Sequence, residues 1–157
     1  MQVNTAPIIM GSDHGAFSLK ENLKQFLQGK GIELRDVGTW SCESVDYPDY
    51  GFQVADAVST GKYQHGILLC GTGLGMSMVA NKFAHVRAAL CNDLFSAIMS
   101  RRHNNANILV MGGRVIGDVL AREIVTAWLE TPFEGGRHQN RLSKFENLGY
   151  RLLTTIE

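Results

Sequence analysis

HGILLCGTGLGMSMVANK, residues 65–82, is the stretch whose reading decides the fold. A short apolar run, ILLC, ends at Cys70, three alternating glycines (Gly71, Gly73, Gly75) break it, and a helical segment follows. Unbroken apolar character is what a strand covered on both faces requires, and such strands belong to parallel sheets sandwiched between helices. Similar units lie to either side. PIIMG (7–11) precedes a helix in which Ala16, Leu19, Leu23, Phe26 and Leu27 keep helical spacing up to Gly29 and Gly31. IELRDVG (32–38) is a second strand, followed by a proline turn and a helix within DYPDYGFQVADAVSTG (46–61). VRAALCN (86–92) runs into a helix through Leu94, Phe95, Ile98 and Met99, and ANILVMGG (106–113) precedes the helix DVLAREIVTAWLE (118–130).

Five strands alternating with helices specify an α/β chain: a three-layer α/β/α, Rossmann-like domain with a five-stranded parallel sheet and the 65–71 strand at its centre. Beyond Pro132 and a glycine break, one extra helix is expected at about 137–148, carrying Leu142, Phe145 and Leu148. It must pack on its own domain or on a second subunit.

With 157 residues and 45 % hydrophobic content, the chain suffices for one core, and residues 1–157 are read as a single domain. Lys plus Arg and Asp plus Glu each number 15, interspersed, so neither a nucleic-acid groove nor a basic membrane patch is implied. No segment approaches the ~20 apolar residues of a membrane span, and the start MQVNTAPIIMGSDHG lacks a secretion signal's pattern. Cys42, Cys70 and Cys91 form no CxxC pair and leave one over from any bridge, which fits free thiols in a reducing compartment. The expectation is a soluble cytoplasmic protein.

Open parallel sheets bind ligands beyond the carboxyl ends of their strands. GSDHG (11–15), CGTGLG (70–75) and GGR (112–114) fall there. Gly71, Gly73 and Gly75 allow a tight turn, and equally a set of amides facing an anion. The loop lacks the lysine of a P-loop, and GxGxG after a third strand is not the GxGxxG of a dinucleotide site, so ATP and NAD are disfavoured. Taken alone, Cys70 is a small buried hydrophobe. At the mouth of an amide-rich loop entering a helix, however, the positive partial charge favours its thiolate. Cys42 and Cys91 have no such loop. His14 beside Asp13 suits acid–base or anion work, His103 either caps its helix or acts chemically, and His65 and His85 at strand starts are structural. Arg137 and Arg141, four apart after Gly135 and Gly136, would present two guanidinium groups on one helix face, as a phosphate requires. No set of residues has zinc-ligand spacing or a calcium pattern.

Seven segments in order resemble the type B ribose-5-phosphate isomerases and their relatives that act on galactose 6-phosphate and allose 6-phosphate. They are GSDHGAF (11–17), DVGTWS (36–41), DYPDY (46–50), CGTGLG with ANK (70–82), RRHNNANIL (101–109), GGRVIG (112–117) and EGGRHQNR (134–141). The resemblance implies a cofactor-free, metal-free aldose–ketose isomerase working through an enediolate. Cys70 matches the proton-transferring base. Met76 stands where another branch of the family carries a catalytic glutamate. Gly71, Gly73 and Gly75 match the oxyanion cradle and Thr72 the proton relay, while His103 with Asp13 matches the ring-opening set. Tyr47 and Asn104 match hydroxyl-binding residues. His14, Arg114, Arg137 and Arg141 match the phosphate-binding set. The resemblance further implies a homodimer or homotetramer with a shared active site, in which His103, Asn104 and Arg114 come from the neighbouring subunit.

Overall fold

The computed structural model describes residues 6–146 and 148. The chain runs β1 (Ile8–Ser12), α1 (Phe17–Gly29), β2 (Leu34–Asp36), α2 (Tyr47–Ser59), β3 (His65–Cys70), α3 (Leu74–Ala80), β4 (Ala88–Leu90), α4 (Leu94–Arg102), β5 (Ile108–Gly112), α5 (Asp118–Glu130) and α6 (Arg137–Phe145). A short 3-10 turn at His14–Ala16 joins β1 to α1. All five strands pair in parallel, in the order β2-β1-β3-β5-β4. The expected sheet and its central strand are present.

The two edge strands are shorter than their apolar runs suggested, three residues each at Leu34–Asp36 and Ala88–Leu90. An edge strand has a partner on one side only, so pairing stops where that partner diverges, and a short edge offers little template for unwanted pairing. The interior strands β1 and β5 are buried along their whole length, and β3 from Gly66 onward.

Alternation along these strands divides the core into two layers. Ile8, Met10, Ile67, Leu69, Leu109 and Met111 face α1, α4 and α5, where Leu23, Ala97, Ile124 and the fully buried Trp128 meet them. Ile9, Leu68, Cys70, Ile108 and Val110 face α2 and α3, packing on Val54, Ala55, Val58, Met76 and Ala80. Cys70 is thus the last inward residue of β3 on the α2/α3 side. Pro48 occupies the first turn of α2, where a missing amide costs nothing. Asp93 caps α4 by accepting from the Ser96 amide at 2.7 Å.

α6 turns its buried residues His138 and Leu142 to the domain and leaves Arg137 and Arg141 exposed. The expected continuation to 148 meets residues 147 and 149–157, which lie outside the described residues, as do residues 1–5 of the expected single domain. Among the described residues no helix is long and apolar enough to cross a membrane.

Candidate active site

Three strand ends are stitched together around Cys70. The Gly113 amide donates to the Cys70 carbonyl at 2.8 Å, the Arg114 amide to the Gly71 carbonyl at 2.9 Å, and the Asp13 amide to the Leu69 carbonyl at 3.2 Å. Backbone approaches are so close that side chains are excluded: a Cβ on Gly112 would lie 2.7 Å from the Thr72 carbonyl oxygen, and one on Gly113 would lie 2.7 Å from the Ala16 Cβ. Gly73 has φ of +82°, which a residue with a Cβ adopts only at a cost. That conformation turns its amide back on the strand, where it donates to Cys70 Sγ at 3.2 Å. The sulfur therefore sits at the floor of the glycine loop, with 5 % of the residue exposed.

Around this floor the other expected residues of the strand ends assemble. Tyr47, at the start of α2, closes over Gly75, whose added Cβ would come within 2.6 Å of the ring. Thr72 is exposed, and its hydroxyl accepts from the Leu74 amide at 3.3 Å. His14 Nδ1 lies 3.2 Å from both the amide and the carbonyl of Val45, so the imidazole is tied to the 37–46 loop through one nitrogen. Asp13 is buried, and its Oδ1 has no protein partner among the described residues; the hydroxyl of neighbouring Ser12 is in the same condition. Buried polar atoms without partners are costly, and at a ligand site they point to polar groups that arrive with the ligand. Met76, by contrast, is fully buried against Gly51 of α2, its sulfur 3.0 Å from where a Cβ there would stand. It lines the core and not the loop.

Of the residues that the resemblance assigns to a neighbouring subunit, Arg114 lies in its own chain beside the cysteine loop, its guanidinium and Cδ flanking Gly71. His103 and Asn104 do not. α4 starts from the carboxyl end of β4 and runs back toward the amino ends of the strands. Its exit, residues 103–107, is pinned there by Arg87 Nε donating to the Asn105 carbonyl at 2.9 Å and the Asn107 amide donating to the Arg87 carbonyl at 3.0 Å. The five residues of β5 separate the two poles by about 13 Å of strand alone. The expected pairing of His103 with Asp13 thus does not occur within one chain.

Arg137 and Arg141 also lie at this second pole. α6 delivers His138 onto His103, the rings stacking at 4.2 Å with planes 10° apart. Glu134 Oε2 lies 3.5 Å from His138 Nε2 and 4.0 Å from His103 Nε2, while its Oε1 pairs with Arg102 Nε at 3.2 Å. Burial, followed by the positive charges of His103, Arg137 and Arg141, lowers the pKa of His138, with Glu134 opposing the shift. A cleft of about 640 Å³ opens on this side between α6 and the amino end of β4, lined by Phe83, His85, Arg87, Leu142 and Phe145 among others. It contains none of the strand-end residues.

Sequence reasoning missed His138 and Glu134. Both stand in EGGRHQNR with the i, i+4 spacing that places side chains together on one face, a signal overshadowed by the arginines. The sequence shows no metal-ligand spacing, yet the fold gathers His103, Glu134 and His138 so that their ligand atoms lie within 4.8 Å of one another. Of the remaining cysteines, Cys42 is exposed, and burial pushes the Cys91 thiol up to about 11.

The chain matches the family model described as Ribose/Galactose Isomerase over residues 8–145. It belongs to the ribose/galactose isomerase family. Its relatives include ribose-5-phosphate isomerase B of Escherichia coli, 51 % identical over 135 residues, covering 86 % of this chain and 91 % of that protein. A D-erythrulose-4-phosphate isomerase of Pectobacterium atrosepticum is 45 % identical, covering 91 % of this chain and 93 % of its own. Among solved structures, ribose-5-phosphate isomerase B of Clostridium thermocellum superposes with a TM-score of 0.91 at 49 % identity, over 93 % of this chain and 99 % of that one. As a member of this isomerase family the chain is an aldose–ketose isomerase.

Proposed function

We propose that this isomerase interconverts D-ribose 5-phosphate and D-ribulose 5-phosphate, through an enediolate, in the non-oxidative pentose phosphate pathway of the cytoplasm. The observation that carries the proposal is Cys70 Sγ, held 3.2 Å from the Gly73 amide where three strand ends meet. The names of the relatives at 51 % and 49 % identity support the five-carbon substrate.

In this reading the Cys70 thiolate takes the proton from C2 of the opened aldose and returns it to C1. The amides from Gly71 to Gly75 meet the oxygen on which charge develops; loss of one such donor typically costs ~3 kcal/mol in the transition state. Thr72 relays protons between the two oxygens. Asp13, with its unpartnered Oδ1, and His103 open the sugar ring, and Tyr47 and Asn104 hold hydroxyls. His14, Arg114, Arg137 and Arg141 hold the phosphate, an anchor remote from the chemistry that fixes C1 and C2 against the base. The reaction so written needs neither metal nor organic cofactor.

Because His103, Asn104, Arg137 and Arg141 occupy the far pole of the chain, a complete site requires a second copy of it. The minimal working unit in this reading is a homodimer with two shared sites, alone or paired as a tetramer. The arginines of α6 are then donated across the subunit boundary together with His103, while Arg114 belongs to the Cys70 side.

Initial rates on D-ribose 5-phosphate, D-allose 6-phosphate, D-galactose 6-phosphate and D-erythrulose 4-phosphate test the substrate. The highest kcat/KM is expected on the five-carbon sugar, and a preference for four or six carbons would overturn that assignment. Replacing Cys70 by alanine should lower turnover at least ~100-fold while circular dichroism and substrate binding persist. A sugar-phosphate sensor built on this fold would bind its ligand without turnover in either form.

A further inference from the structure

The second pole holds a chemical grouping of which the proposed isomerisation uses only His103. His103 closes α4, Glu134 lies in the connection to α6, and His138 sits in the first turn of α6. Each is fixed by its backbone: the His103 amide donates to the Met99 carbonyl at 2.9 Å, Glu134 to Arg102 at 3.0 Å and His138 to Gly135 at 3.0 Å. Arg102 engages Glu134 Oε1, which leaves Oε2 aimed at the two imidazole Nε2 atoms, 3.5 and 4.0 Å away. A carboxylate oriented by a charged neighbour through one oxygen and free on the other is a common arrangement for a metal-ligating carboxylate.

Zinc bonds of roughly 2.0–2.2 Å in a tetrahedron put donor atoms about 3.4 Å apart, so these distances lie within a small rotation of a ligand set. The rings now lie parallel, and an ion must meet each nitrogen in the plane of its ring. His103, more exposed than His138, is the ring free to turn. Two imidazoles and one carboxylate match zinc, cobalt, nickel and copper; magnesium and calcium demand more oxygen donors. The nearby charges of Arg102, Arg137 and Arg141 oppose any cation, so only an ion with strong bonds to nitrogen can be held there.

We propose that His103, Glu134 and His138 form a site for a divalent transition-metal ion of the zinc type, and that filling it inhibits the isomerase. An Nε2 bonded to metal has no lone pair left to take a sugar hydroxyl proton. Occupancy therefore withdraws His103 from ring opening while leaving the phosphate-binding arginines in place. This consequence rests on the role given to His103 above, whereas the ion site rests on geometry alone.

The test uses the full chain, stripped with a chelator and titrated with cobalt(II). The expected result is a visible spectrum of a tetrahedral site at one equivalent per chain, displaced by zinc, with Glu134→Gln and His138→Asn each weakening binding at least tenfold and circular dichroism confirming that both variants fold. Isomerisation of ribose 5-phosphate should fall in proportion to zinc occupancy and return with chelator. Absence of stoichiometric cobalt binding, or binding unchanged in both variants, overturns the site. Stoichiometric binding with undiminished turnover overturns the inhibition and the role assigned to His103, while the site and the Cys70 mechanism stand.

Discussion

A single methyl group tests the loop geometry. Gly75→Ala would place a Cβ about where the Tyr47 ring now lies, since only 2.6 Å separates them. The ring must swing off the loop, and displacement of a substrate-positioning group by about 1 Å costs up to ~100-fold in turnover. We expect kcat/KM for Gly75→Ala to fall on the order of tenfold or more with little loss of thermal stability; unaltered kinetics would remove Tyr47 from the site. His65 offers a different readout, at the start of β3 against Trp128, with ring centroids 5.2 Å apart. Burial, aided by the charge of Arg101, lowers its pKa from 6.5 to about 4. The native state therefore refuses a proton that the unfolded chain accepts, and stability is lost as pH falls from 6.5 toward 4. The loss amounts to about 3 kcal/mol at most. Urea unfolding of wild type and His65→Gln at pH 7 and pH 4 should show that much less acid sensitivity in the variant.

Among the elements, α1 is locked to β2 by charge inside the protein. Lys20 is fully buried, with its ammonium 2.5 Å from Asp36 Oδ2 and 2.8 Å from Glu21, and Lys24 adds a 3.0 Å contact to the same Asp36 oxygen. Burial works against the Asp36 carboxylate, but hydrogen bonds from Lys20, the Gly38 amide and Lys24 hold it below the usual range. Asp36→Ala leaves a buried ammonium without its main partner, and chemical denaturation should show a loss of about 3 to 5 kcal/mol. Replacing both partners by apolar residues, Lys20→Met with Asp36→Leu, should recover most of it. This link was not legible in the sequence. Lys20 sits on the buried side of a helix whose apolar spacing is otherwise regular, and nothing in the string KENLK indicates that a carboxylate from the next strand will meet it. The strands themselves were legible, because IIM, ILL and ILVM are apolar on both faces, whereas the ends of β2 and β4 depend on partners that no local pattern reveals.

For the whole molecule, the motifs supplied the candidate residues but not which of them meet. Cys70, the glycine loop, Asp13 and His14 fall at strand ends, and their convergence follows from parallel topology. His103, which the resemblance assigns to a neighbouring subunit, is carried by the direction of α4 to the other end of the sheet. Arg137 and Arg141 went with it because α6 stacks His138 on His103, a contact between residues 35 positions apart in the sequence that spacing cannot show. Complementation tests the resulting division. Cys70→Ala and His103→Asn should each be nearly inactive, yet unfolding and refolding them together should restore about a quarter of wild-type activity, because half of randomly mixed two-fold dimers are hybrids with one intact site of two. No recovery on mixing would refute a shared site.

The separation of the proposed base, Cys70, and the proposed ring-opening acid, His103, to opposite ends of one chain also governs how the rate responds to dilution. While pairs are scarce, turnover should grow with the square of the amount of protein and not in proportion to it, so that a cell halving its supply would lose more than half its flux.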